Sequence, residues 1–336
     1  MNTFQRYLVE EFAEEYQEGR MSRQQALKLI ASVLGGLTVA QTFLAGCAPP
    51  PAATAPPATA DPAATHTPTA TMAATATPAP SAATAPPTEA LASPTPPTAG
   101  TVSPDDPAVT AGSLEFAAVD ATITGYLARP AGGAPAPIIL VCHENRGLTD
   151  HIRDVTRRLG KAGYVGLAVD LLARQGGTES VGSEAVPGVL GNTDPAQFVN
   201  DFRSGWEHLA GAAYVLPERV GMVGFCFGGG VTWRVAVGMR ELRAAVPFYG
   251  PHPEVGEVAN ISAAVLGIYG EQDQRINQGI AAIEAGMLAN GRVYEKMIYP
   301  GADHAFHNDT GSRYNPEAAQ DAWARTLAWF ARYVRD

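Results

Sequence analysis

Cysteine is scarce in this chain: 336 residues hold three, at Cys47, Cys142 and Cys226. Three thiols do not make a disulfide framework. Basic runs are missing as well. The formal charge is −10 and no block of Lys or Arg stands out, which argues against nucleic acid as a partner. No internal repeat is visible. No spaced ligand set exists either, because His143, His151, His304 and His307 do not fall into register with cysteines or carboxylates. The sequence therefore implies no metal and no organic cofactor. The apolar, uncharged stretch at residues 29–44 is too short for a comfortable membrane span.

That stretch is informative in another way. Arg20, Arg23 and Lys28 stand just before it, and it ends Leu44-Ala45-Gly46-Cys47. Positive then apolar is the order of a secretory signal, and the ending resembles a bacterial lipobox. The resemblance implies cleavage before Cys47, lipid on its thiol, and an extracytoplasmic, membrane-anchored protein whose signal peptide is residues 1–46. Residues 22–28, Ser-Arg-Gln-Gln-Ala-Leu-Lys, look like a twin-arginine signal without its second arginine, so the export route stays open. The segment before them is long and acidic for a signal. Its apolar residues Phe4, Leu8, Phe12 and Tyr16, with Tyr7 beside Leu8, suit one helical face. Nothing in the sequence assigns that face a function.

From Ala48 to about Pro104 the chain is almost entirely Pro, Ala and Thr. Such a segment has no apolar face whose burial could offset its ordering entropy, so residues 47–108 read as a lipidated cysteine followed by a disordered linker. Residues 109–336 then have the size of one domain.

Within it, Leu114–Phe116 and Ile123–Leu127 suggest an opening antiparallel pair. Pro137–Cys142 is a continuous apolar run of the kind found in a strand buried on both faces. Helix at 149–162, strand at 164–169 and helix at 195–212 follow. Strands at 219–223, 244–248, 264–269 and 294–299 alternate with helices at 229–236, 278–290 and 316–334. This alternation predicts an α/β fold with a mainly parallel sheet flanked by helices on both faces, and a ligand site at the carboxyl ends of the strands.

At that end of the 219–223 strand stands Gly224-Phe225-Cys226-Phe227-Gly228. The pattern is a nucleophile elbow of the G-x-S-x-G type with cysteine in place of serine. The glycines allow strand and helix to approach closely and push the middle side chain into the open. A helix amino terminus favours the thiolate. In the α/β-hydrolase fold an acid and then a histidine follow, each on a loop after a strand. Gly270-Glu271-Gln272-Asp273 and Gly301-Ala302-Asp303-His304 meet that requirement. Asp273 is the candidate orienting acid and His304 the candidate base. His307 competes as base, and Glu271 and Asp303 are nearby carboxylates. The oxyanion needs two backbone donors. One is expected from Phe227, the other from the loop His143-Glu144-Asn145-Arg146-Gly147. His143 and Arg146 either order this loop or cap the next helix, and Cys142 reads as structural.

With these motifs and Asp170-Leu171-Leu172-Ala173-Arg174, residues 109–336 resemble the dienelactone hydrolase (carboxymethylenebutenolidase) family of the α/β-hydrolase superfamily. The resemblance implies a catalytic triad of Cys226, Asp273 and His304 and oxyanion donors at the backbone of Asn145 and Phe227. It also implies that Glu144 binds the resting thiol. Two arginines that would grip a dianionic lactone are not where the family has them. His304 is followed by Ala-Phe-His-Asn-Asp, residues 175–200 contain no arginine, and Arg313 has no assigned place. Aromatic candidates Phe225, Phe227, Tyr249 and Phe306 suggest instead a pocket for an uncharged ester or lactone. The expected activity is hydrolysis of a small-molecule ester or lactone through a thioester acyl-enzyme. Alternatives are a general carboxylesterase or thioesterase, and a surface binding module with a vestigial triad. A peptidase is a weaker reading, because no extended groove can be discerned.

Overall fold

The computed structural model describes residues 1–46 and 100–335. Cys47 and most of the Pro/Ala/Thr segment, with the expectations attached to them, lie outside the described residues.

Three helices come first: α1 (Thr3–Gln17), α2 (Arg23–Leu34) and α3 (Leu37–Gly46). Local sequence explains their starts. Asn2 with Gln5 and Ser22 with Gln25 form reciprocal capping boxes on α1 and α2, satisfying amide groups that a helix leaves open at its beginning. Gly35, at φ 74°, ends α2 in the left-handed conformation that glycine adopts without strain. No described helix is long and apolar enough to cross a membrane.

The remaining strands and helices are β1 (Val109–Ala117), β2 (Thr122–Pro130), β3 (Ala136–Cys142), α4 (Asp150–Lys161), β4 (Val165–Val169), α5 (Val186–Asn192), α6 (Pro195–Ala210), β5 (Val215–Phe225), α7 (Phe227–Gly238), β6 (Leu242–Phe248), β7 (Ala264–Gly270), α8 (Gln274–Asn277), α9 (Ile280–Ala289), β8 (Tyr294–Tyr299) and α10 (Pro316–Phe330). The strands form one sheet in the order β1-β2-β4-β3-β5-β6-β7-β8. β1 pairs antiparallel with β2 and β2 with β4, and every other neighbour is parallel. Strands β3, β4 and β7 are buried at every residue, as parallel strands covered on both faces must be.

The expected elements are present, alongside others absent from the sequence reading, among them α2, α3 and the one-turn α8. Helix α5 had no counterpart in the sequence reading, because Pro187, Gly188 and Gly191 interrupt its pattern. The glycines have a packing reason: a Cβ at Gly188 would stand 2.6 Å from the Ser32 carbonyl oxygen of α2. The domain also begins earlier than residue 109. Val102 is buried, its N–H donates to Asp154 Oδ1 at 2.6 Å and its carbonyl accepts from Arg157 Nε at 2.6 Å.

Helices α1–α3 belong to the same compact unit as the sheet. The stripe foreseen on α1 faces inward. Phe4, Leu8 and Phe12 are buried, and Tyr16 is partly buried. Phe4 packs on Phe198 and Phe227, ring centroids 5.4 Å and 4.9 Å away, so α1 lies against the start of α7.

Candidate active site

Cys226 occupies the turn between β5 and α7 at φ 58°, ψ −122°, a backbone region that costs a non-glycine residue about 1–3 kcal/mol. The turn is held from several sides. The Cys226 N–H donates to the Phe248 carbonyl at 3.0 Å. A Cβ at Gly224 would stand 2.2 Å from the Gly228 carbonyl oxygen, and one at Gly228 would stand 2.4 Å from that of His143. Only hydrogen fits at either position. The two glycines lock strand, elbow and the loop after β3 into one assembly.

The loop after β7 delivers Asp273, which caps α8 by accepting from the Ile276 N–H at 3.3 Å. The loop after β8 delivers His304, whose Nδ1 lies 2.6 Å from Asp273 Oδ2. Both side chains are buried. The reactive atoms of Cys226 and His304 lie within 4.8 Å of each other. Burial pulls the His304 imidazole down, but the charge and hydrogen bond of Asp273, with Cys226 adding to them, leave its pKa well above the ordinary value. Burial resists ionisation of Asp273, and His304 more than compensates, so that carboxyl sits below its usual range. Cys226 goes the other way: burial first and then the charge of Glu11 push the thiol up.

The loop after β3 is positioned by His143. Its Nδ1 lies 2.7 Å from the Glu144 carbonyl oxygen, and its Nε2 accepts from the Leu171 N–H at 3.2 Å. That pair assigns the ring proton to Nδ1, and burial lowers the pKa so that the ring stays neutral. His143 thus orders the loop that carries Asn145, one of the two roles the sequence left open for it. Phe227 is the first residue of α7, where an amide has no carbonyl four residues back to bond within the helix.

Some sequence expectations need correction. Glu144 is buried near the site, but its Oε2 accepts from Asn308 Nδ2 at 2.7 Å. The carboxylate at the thiol is Glu11 of α1, with Sγ 3.7 Å and 3.8 Å from its two oxygens. Phe225, Tyr249 and Phe306 are not walls of the pocket. All three are fully buried and pack behind the site: Phe225 lies 4.7 Å from Phe248, and Tyr249 lies 5.1 Å from His304 and 5.5 Å from Phe306. Aromatic side chains of this size are taken into the core by area alone. His307, the competing base, is buried and stacks on Phe225 at 5.0 Å. Cys142 is buried at the end of β3, as a structural cysteine should be.

The cleft that reaches Cys226 and His304 has a volume of about 740 Å³ and a mixed lining, in which Phe12, Met21 and Leu29 stand beside Glu144, Arg146, Asn308 and Arg313. Arg313, unplaced by the sequence, bonds Glu15 of α1 at 2.6 Å. The side chains that sequence reasoning missed at the site are Tyr7, Glu11, Asn308 and Arg313. The Tyr7 hydroxyl lies 3.1 Å from Cys226 Sγ and 3.3 Å from His304 Nε2. Its one foreshadowing was the apolar stripe on α1. Glu11, Cys226 and His304 are close enough together to ligate a metal ion, which would then take the thiol and the imidazole as its ligands.

Chemically, a thiol on a strained elbow and an imidazole oriented by a buried carboxylate suit nucleophilic acyl transfer. Known proteins agree. Residues 123–334 match the dienelactone hydrolase family model. A protein of Methylorubrum extorquens, provisionally named carboxymethylenebutenolidase, is 36% identical over 66% of this chain and 81% of its own length. One from Salmonella typhimurium with the same provisional name is 32% identical over 67% of this chain and 88% of its own. A crystal structure of a provisionally named dienelactone hydrolase from Klebsiella pneumoniae superposes with a TM-score of 0.63 at 32% identity, covering 67% of this chain and all of that one. The chain is a hydrolase with the α/β-hydrolase fold, and it belongs to the dienelactone hydrolase family.

Proposed function

We propose that the protein hydrolyses a small-molecule ester or lactone through a thioester acyl-enzyme on Cys226. The observation that carries this reading is the buried 2.6 Å contact of Asp273 with His304, whose far nitrogen faces a cysteine on a strained elbow. His304 takes the thiol proton and the thiolate attacks the substrate carbonyl. The N–H groups of Asn145 and Phe227 receive the oxyanion. When the tetrahedral intermediate collapses, the alkoxide leaves with the proton from His304, and the acyl group stays on sulfur. His304 then deprotonates a water, which attacks the thioester and returns the thiolate. Glu144 is a positioning residue in this scheme. It bonds Asn308, which lines the same cleft as His304, and its charge opposes thiolate formation.

The cleft lining bears on substrate choice. With the aromatics in the core and Arg146 and Arg313 at the cleft, no preference for an uncharged substrate follows, and anionic lactones belong in the test panel. We also propose, on the order of charges and the lipobox-like ending alone, that residues 1–46 direct export and Cys47 receives lipid. An unmodified Cys47 in membrane fractions of a bacterial host would refute that part.

The hydrolase test is intact-mass analysis after incubation with neutral and carboxylate-bearing esters and lactones. An acyl adduct on Cys226 should be trapped by acid quenching of the wild type and be lost in Cys226→Ala and in His304→Ala, where the thiol has no base. If no substrate leaves an adduct and iodoacetamide does not inhibit, in the full chain and in the protein processed before Cys47 alike, the proposal fails.

A further inference from the structure

Helix α1 makes contacts that no part of the hydrolytic scheme requires. The Tyr7 hydroxyl, within bonding reach of both Sγ and Nε2, stands where a proton must pass from thiol to imidazole and where an acyl group must approach. Glu11 brings a carboxylate to the thiol and accepts from Asn145 Nδ2 at 3.1 Å. Attack on a carbonyl needs a thiolate and creates an oxyanion, both negative. A buried carboxylate at this distance opposes both, so Glu11 works against the reaction.

The helix is also tied down. Arg275 bonds Glu14 at 3.0 Å and lies over the Tyr7 ring at 4.6 Å, and Arg313 bonds Glu15. Asn2 Nδ2 donates to the Gly191 carbonyl at 3.0 Å. Leu8 and Val9 are fully buried, and Cys226 is left only 3% exposed. Yet the sheet runs from Val109 to Tyr299 and takes no strand from this segment, so the helices can depart without breaking a ladder.

We propose that residues 1–46 are an intramolecular plug, in which α1 seats Tyr7 and Glu11 on the nucleophile and base and keeps the hydrolase closed until the segment leaves. The inference rests on the hydrolase reading for the activity that is blocked. Cleavage before Cys47, if it occurs as proposed, would separate α1–α3 from the sheet domain, since all three lie within residues 1–46. The precursor would then be silent and the processed protein active. This gives the long acidic start of the chain a purpose that an export signal alone does not.

The test uses the full chain carrying Leu8→Asp, which places a charge in the buried face of α1, and separately the milder pair Glu14→Gln/Glu15→Gln. Two rates are read: carbamidomethylation of Cys226 by iodoacetamide, located by peptide mapping, and hydrolysis of a nitrophenyl acetate. Both should rise, by at least about tenfold in Leu8→Asp and about threefold in the double variant, as the open fraction grows. Circular dichroism establishes that the sheet domain is folded, and if Leu8→Asp fails to fold, the double variant carries the test. Unchanged or slower labelling in folded variants overturns the plug. So does faster labelling with slower hydrolysis, which would make α1 part of the catalytic machinery. Faster labelling with no hydrolysis by any form supports the plug and sinks the hydrolase reading instead.

Discussion

Replacing Gly224 by alanine puts the elbow to a quantitative test. The new methyl carbon would stand 2.2 Å from the Gly228 carbonyl oxygen and 2.4 Å from Thr232 Oγ1. An unstrained carbon–oxygen contact is about 3.4 Å, so the first turn of α7 has to retreat by roughly 1 Å. It has little room to do so, since Gly229 and Gly250 pack equally tightly: a Cβ at Gly229 would lie 2.4 Å from the Phe248 carbonyl oxygen. Overpacking of this kind costs about 1–3 kcal/mol, with the upper end expected where the obstacle is backbone. With a urea slope of about 2–3 kcal/mol per molar, the midpoint should fall by about 1 M. Activity should fall further than stability suggests, because a displacement of about 1 Å at the nucleophile is worth roughly 100-fold in rate. The assay is urea unfolding followed by tryptophan fluorescence, alongside kcat/KM for the best ester found. Gly112→Ala is the control: nothing lies within 4 Å of its Cβ, and its cost should stay below about 0.5 kcal/mol. If Gly224→Ala matches that control in both readings, the close-approach argument for the elbow is wrong.

Two further expectations concern charge. Asp273→Asn keeps the shape of the side chain that orients His304 but removes the charge that holds its pKa up; kcat should drop by about four orders of magnitude with KM little changed, and a loss below tenfold would show that another group orients the base. His252, 3.1 Å from the Tyr269 hydroxyl, has its pKa lowered to about 4 by burial, with Asp273 opposing. Its unfolded counterpart takes a proton near pH 6.5, so its contribution to stability is complete above that value and is lost as pH falls towards 4. The loss is at most about 3 kcal/mol, reduced by the ring's residual contact with solvent. His252→Gln should therefore show a shallower fall in urea midpoint between pH 7 and pH 4, and equal slopes would contradict the assignment.

The parallel sheet could be read from the sequence because its strands are short apolar runs separated by helical periods, and burial on both faces leaves no other pattern. The elbow and the loops after β7 and β8 were equally open to reading: each functional residue sits at a fixed place after a strand, beside glycines required by close approach at Gly224, Gly228 and Gly270 and by a positive φ at Gly301. What escaped was everything that depends on distant parts of the chain. The stripe of Phe4, Leu8 and Phe12 announced a helix with a buried face, but one face of one helix does not say what covers it. Glu144 and Glu11 are both carboxylates that fit beside a thiol, and only the placement of α1 and Asn308 separates them. Phe225, Tyr249 and Phe306 surround the elbow in either a pocket or a core, and composition cannot distinguish the two.

The positive φ of Cys226 has a consequence for what the chain has kept. A side chain in that conformation is a standing thermodynamic debt, and glycine alone would cancel it. Relief of that strain favours glycine at this position, against the extra freedom that a glycine has in the unfolded chain. A domain retired to passive binding would have no catalytic use to set against that relief. On the reading proposed above, a cysteine held there, between two glycines and within reach of an imidazole, is one whose use outweighs the strain it brings.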